Sequence, residues 1–140
     1  MNLFDFEDHS RAEGSLQYAV EIPDGISKKA ELFRVLCELL RFPKYFGFNW
    51  DALSDCLRDF EWIQRHRVVL VHKDLPSLPL YQLITYLWIL DDAIKYWNDE
   101  GGHSLEVVFP LIARSKIDGL GMSWSPSHPS PDGPLPLEPD

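Results

Sequence analysis

The chain has 140 residues, 45% of them hydrophobic and 13% aromatic, enough for one domain around a single core and too few for two. Its 22 acidic residues against 13 basic ones leave a formal charge of -9. That excess repels phosphate backbones, so it argues against nucleic-acid binding and favours a basic protein partner.

In chain order, residues 1–14 are polar and acidic with scattered phenylalanines, and lack the basic start and apolar run of a secretory signal. They read as a flexible acidic arm. Leu16, Tyr18, Val20 and Ile22 then alternate as in a half-buried strand, which the turn signal Pro23-Asp24-Gly25 ends. Ser27 is placed to cap a helix running to about Phe42, with Phe33, Leu36, Cys37 and Leu40 at helical spacing and Pro43 stopping it. After a short aromatic loop, Lys44 to Phe48, Asn49 caps a second helix that runs to about Trp62 and buries Leu53, Cys56, Leu57 and Phe60. Arg67 to His72 is short and β-branched, as a central strand is. A long helix from about Leu80 to Asn98 follows, apolar on more than one side, and Gly101-Gly102 terminates it. Leu105 to Phe109 makes a third strand.

Each pair of strands is separated by a crossover long enough to hold a helix, which predicts a three-stranded parallel sheet packed with helices: an α/β fold in one domain, residues 15–110. The remainder, 111–140, is dominated by prolines from Pro126 onward and reads as a disordered or polyproline tail. The richest apolar run, Leu83 to Leu90, is too short to cross a bilayer, so neither membrane association nor any address beyond the cytoplasm is expected. Cys37 and Cys56 fall inside helical patterns and read as buried free thiols.

Catalytic constellations are poor. His9, His66, His72, His103 and His128 lack ligand spacing, and there is neither a glycine-rich phosphate loop nor a nucleophile elbow. Ser54 has no base partner and reads as an exposed helix serine. The chain is therefore expected to have no catalytic residues, metal or cofactor. What stands out is the polar side of the second helix, where Asp51, Asp55 and Asp59 recur at i, i+4, i+8 as one stripe of like charge. Each such pair costs roughly 0.2–0.5 kcal/mol, so the stripe does not serve the helix itself. A solvated face is the plain reading, and Mg²⁺ held by Asp51 and Asp55 is another. A docking surface is favoured by Tyr45, Phe46, Phe48 and Trp50, aromatic rings gathered beside the acids, one of Phe48 and Trp50 folding back onto the core.

The run Pro43-Lys44-Tyr45-Phe46-Gly47-Phe48-Asn49-Trp50-Asp51-Ala52-Leu53-Ser54-Asp55-Cys56-Leu57 resembles the loop and second helix of the barstar family, inhibitors of barnase-type ribonucleases. The likeness extends more weakly over Leu16 to Phe109, and the element order agrees with the family's fold. By that resemblance Tyr45, Gly47, Asn49, Asp51 and Asp55 touch the ribonuclease, with Asp55 at the carboxylate that enters its phosphate site. Trp50, Ser54 and Arg58, on the same helix, complete the expected contact set. The sequence departs from the family at Ser54, where the family has tryptophan, and at Phe48, where it has glutamate. The family's late-helix carboxylate falls near Tyr96 and Trp97, with Asp99 or Glu100 as substitutes. The implied partner is a basic ribonuclease or toxin nuclease domain, for which this would be the immunity protein. A basic protein that is not a nuclease is the alternative.

Overall fold

A computed structural model describes residues 3–7 and 17–120. The elements are β1 (Asp5–Phe6), β2 (Gln17–Ile22), α1 (Lys29–Leu40), α2 (Trp50–Leu57), β3 (Arg67–His72), α3 (Leu80–Glu100), β4 (Ser104–Phe109) and α4 (Ala113–Gly119). All strand pairs are parallel, in the order β1-β4-β3-β2. The α/β architecture is the expected one, and β3 is central as its β-branched run implies. The sheet, however, has four strands and not three.

Alternation along the strands sorts side chains to two faces. Val68 and Leu70 of β3 and Leu105, Val107 and Phe109 of β4 enter the main core with the helices, while Val69, Val71 and Val108 form a small cluster on the other face. Within the main layer α1 lies against β2, α3 against β4, and α2 against α3.

The fourth strand comes from the segment read as a flexible arm. Asp5 and Phe6 pair with Val108 and Phe109, and the Glu7 N–H donates to the Phe109 carbonyl at 2.9 Å. Side-chain contacts help to hold so short a strand. Phe4 is buried edge-on against Phe109, with centroids 5.3 Å apart, and the Leu3 N–H donates to the buried Asp91 carboxylate at 2.8 Å. At the other end the fold also runs past the expected boundary at Pro110. Helix α4 buries Ala113 and Ile117 in the main core, so residues 111–120 are not tail. Residues 121–140, including the proline-rich stretch, lie outside the described residues.

Helix boundaries shift for local reasons. Helix α1 starts after Lys28, not Ser27, and no side chain caps it; the Ser27 N–H instead donates to Glu31 Oε1 at 3.0 Å. Before Pro43 is reached, Arg41 takes a left-handed conformation at φ 55° and ends the helix. Helix α2 stops at Leu57, well short of Trp62. Phe60 turns to φ 51° and stacks on Trp97 at 5.6 Å, and burying that ring costs the helix its last turn. Gly101 and Gly102, both at positive φ, close α3 as their composition implies. Among the described residues no helix is long and apolar enough to cross a membrane.

Candidate protein-binding face

The acidic helix is fixed at both ends. At its start Asn49 has extended backbone and its Oδ1 accepts the Ala52 N–H at 2.7 Å, which satisfies one of the amides a helix N-terminus leaves unpaired. Gly47 adjoins that cap: a methyl there would sit in ordinary contact with Asn49 Nδ2, at 3.4 Å. At its end the Leu57 carbonyl accepts the Trp97 indole N–H at 2.8 Å, tying α2 to α3. One side of α2 is sealed into the core by Leu53, Cys56 and Leu57, which leaves its outer side rigidly presented.

That outer side carries Asp51 and Asp55, both exposed, followed by Arg58. Arg58 Nη2 lies 3.3 Å from Asp55 Oδ1, its Nε donates to the Ser54 carbonyl at 3.2 Å, and the guanidinium stands 5.8 Å from the Tyr96 ring centroid. With the Asp55 side chain 73% exposed, this i,i+3 pair contributes at most about 0.5 kcal/mol. This pair can therefore open at little loss. The third aspartate does not extend the stripe. Asp59 lies beyond the helix, where its Oδ2 accepts the Tyr45 hydroxyl at 2.8 Å and its Oδ1 accepts the Glu61 N–H at 3.3 Å. That hydrogen bond to a carboxylate pushes the Tyr45 phenol up to about 12, so it stays a protonated donor. The ring itself is 66% exposed beside the helix.

Of the eight expected contact residues Tyr45, Gly47, Asn49, Asp51 and Asp55 are exposed, and Arg58 is half-buried beside Asp55. Trp50 and Ser54 are corrections. Trp50 is 2% exposed, packed edge-on against Phe33 at 4.9 Å, and Ser54 is 7% exposed, so neither presents a side chain to a partner. The signal was in the spacing: Trp50, Leu53, Ser54 and Leu57 fall at i, i+3, i+4, i+7, which is the buried stripe itself. Phe48 is the ring left outside. It is 54% exposed and held at φ 53°, a conformation that costs a residue with a Cβ roughly 1–2 kcal/mol. The position expected for a late-helix carboxylate holds Tyr96 under Arg58 and the buried Trp97, while Asp99 and Glu100 are exposed in the last turn of α3. Sequence reasoning missed Trp97 as the brace of α2, because its partner is a backbone carbonyl forty positions away. Among the described residues no three His, Cys, Asp or Glu side chains converge as metal ligands.

Comparison with curated proteins and with solved structures returns no match. The family model described as Barstar (barnase inhibitor) matches residues 19–109, which spans β2 through β4 and contains the whole of the face built above. On that match over most of its length, the chain belongs to the barstar family of barnase inhibitors.

Proposed function

We propose that the chain inhibits a barnase-like ribonuclease or toxin nuclease domain by placing Asp55, supported by Asp51, in the cationic site that holds the scissile phosphate. The observation that carries this reading is an exposed carboxylate pair on a helix fixed at both ends, in a chain of net charge -9 that belongs to an inhibitor family. A ribonuclease gathers cationic side chains around its phosphate. A carboxylate accepts the same charge-assisted hydrogen bonds and offers nothing to cleave. Tyr45, Gly47 and Asn49 frame the helix and supply contacts around it. Catalysis by the chain itself has no part in the mechanism.

The test is Asp55→Ala, assayed by calorimetry and by inhibition of RNA cleavage across a set of barnase-type ribonucleases. The free variant should match the parent in stability to within about 0.5 kcal/mol, since only an exposed ion pair is lost. Binding should weaken by about 2–5 kcal/mol, a range informed by measurements on complexes of this same family, because the enzyme's buried cations are left unpaired. Undiminished inhibition by Asp55→Ala would refute the phosphate-site assignment. Inhibition of no ribonuclease, with capture of a basic protein of another kind, would favour the alternative partner.

A further inference from the structure

Beside the acidic face lies a pocket of opposite character. It has a volume of about 400 Å³ and opens between the start of α1 and the start of α3, where the Ser77 N–H donates to the Ile26 carbonyl at 2.8 Å and holds the two segments together. Phe33, Phe48 and Pro79 give it apolar walls; Lys28, Lys29 and Gln82 supply the polar groups. Lys28 and Lys29 stand side by side at the start of α1, where the N-terminal end of the helix dipole is also positive. Glu31, the carboxylate of that first turn, accepts the Ser27 N–H and lies near Lys28 and Arg34, so it offsets part of that charge.

Gln82 is the buried polar side chain of the lining. Its residue is only 4% exposed, yet among the described residues its side-chain amide has no hydrogen-bond partner. Buried amides are nearly always paired, with protein, with ordered water or with a ligand, and Gln82 offers its amide to the last two. Phe48 adds a second unexplained expense: a half-exposed ring in a strained conformation that glycine or asparagine would adopt more readily. The same Phe48 stands between Gly47 and Asn49, on the loop that frames α2, so pocket and acidic helix share an edge.

We infer that this pocket is a second anchor of the inhibitory face, and that it receives from the ribonuclease an apolar side chain adjacent to a carboxylate. The apolar group packs between Phe33, Phe48 and Pro79; the carboxylate meets Lys28, the α1 N-terminus and the Gln82 amide. This inference rests on the Asp55 reading for its partner, but not for its chemistry. It also gives the interface a polarity: acid on this chain to base at α2, base to acid at α1. A nuclease with only a cationic active site matches half of it, which is how such a surface discriminates among related enzymes.

Two experiments on the full chain test it separately from the Asp55 assignment. In the first, nuclear magnetic resonance follows titration with N-acetyl-Phe-Asp-amide, N-acetyl-Phe-Asn-amide and N-acetyl-Phe-Lys-amide. The aspartyl peptide should shift the Gln82 side-chain amide and the Ala30 backbone amide saturably, bind about fivefold or more tightly than the asparaginyl one, and lose its effect in Lys28→Glu. No saturable shift at those two groups, or equal affinity for all three peptides, overturns the pocket's chemistry. In the second, Phe48→Gly and Gln82→Leu are compared with Asp55→Ala against a barnase-type ribonuclease that the parent inhibits. Phe48→Gly relieves the strained φ and Gln82→Leu removes the orphaned amide, so both should melt at least as high as the parent and still bind about fivefold or more weakly. If they bind as tightly as the parent while Asp55→Ala fails, the pocket lies off the interface and the Asp55 reading stands. If the parent inhibits no such ribonuclease, the partner named here is wrong, and the peptide titration alone decides what the pocket takes.

Discussion

At position 72 a histidine sits inside the main layer with both ring nitrogens engaged. Nδ1 faces the Val108 carbonyl at 3.1 Å and must donate to it, so Nε2 accepts from the Tyr86 hydroxyl at 2.7 Å. The ring stacks on Phe109 at 4.2 Å. Burial without a counter-charge pulls its pKa down from 6.5 to about 3. The unfolded chain therefore takes up a proton below about pH 6.5 while the folded one does not until about pH 3. Stability is full above the first value and falls as pH drops through that window. Between pH 7 and pH 5 the loss should be about 2 kcal/mol in urea denaturation. His72→Gln keeps a donor and an acceptor but cannot titrate, and should flatten that slope; an unchanged slope would mean that His72 is not the source. Residue-scale roles of this kind were invisible in the sequence, where His72 was one of five histidines without a pattern. Asp51 and Asp55 were legible because helical spacing alone puts them on one side. Which side faces out is decided from the apolar positions, and there only its place in the stripe with Leu53 and Leu57 marks Trp50 as core and not as an exposed anchor.

The longer elements are legible for different reasons: β2, α1 and α2 repeat their apolar positions with a strand or helix period, β3 and β4 are short β-branched apolar runs, and α3 is a long apolar stretch closed by two glycines. The two elements that were missed, β1 and α4, have two and seven residues. Neither is long enough to show a period, and both exist by contacts with distant parts of the chain: Phe4 on Phe109 and Leu3 on Asp91 for one, Ala113 and Ile117 in the core for the other. Removing residues 1–7 should consequently destabilise the protein by about 2–4 kcal/mol, from the lost burial of Phe4 and the lost bond to the Asp91 carboxylate. Asp91 keeps Lys95, 3.1 Å away, so the variant should still fold. Its affinity for a ribonuclease should match the parent's, because none of α2's supports passes through β1. Denaturation midpoints and calorimetry read the two effects independently; a truncated chain as stable as the parent would show that β1 only rests on the sheet edge.

For the molecule as a whole, the proposed inhibition would divide recognition between charge and shape. A net charge of -9 would act at a distance on encounter, and the braced helix would act at contact on residence. Association with a ribonuclease should slow as salt rises, because the field is screened over about 8 Å at physiological ionic strength, while dissociation changes less. Stopped-flow rates between low and high salt measure this, and a flat association rate would remove long-range steering.

The sheet order also sets a timetable. β1 is synthesised first, yet the strand it needs, β4, is the last to appear, whereas β2 and β3 can pair as soon as β3 emerges. Closing the widest loop in the domain is entropically the slowest pairing, so Leu3 to Glu7 wait idle until the rest has assembled. The brace on α2 arrives earlier, with Trp97 of α3. A newly made chain thus acquires its acidic face before it acquires its full stability.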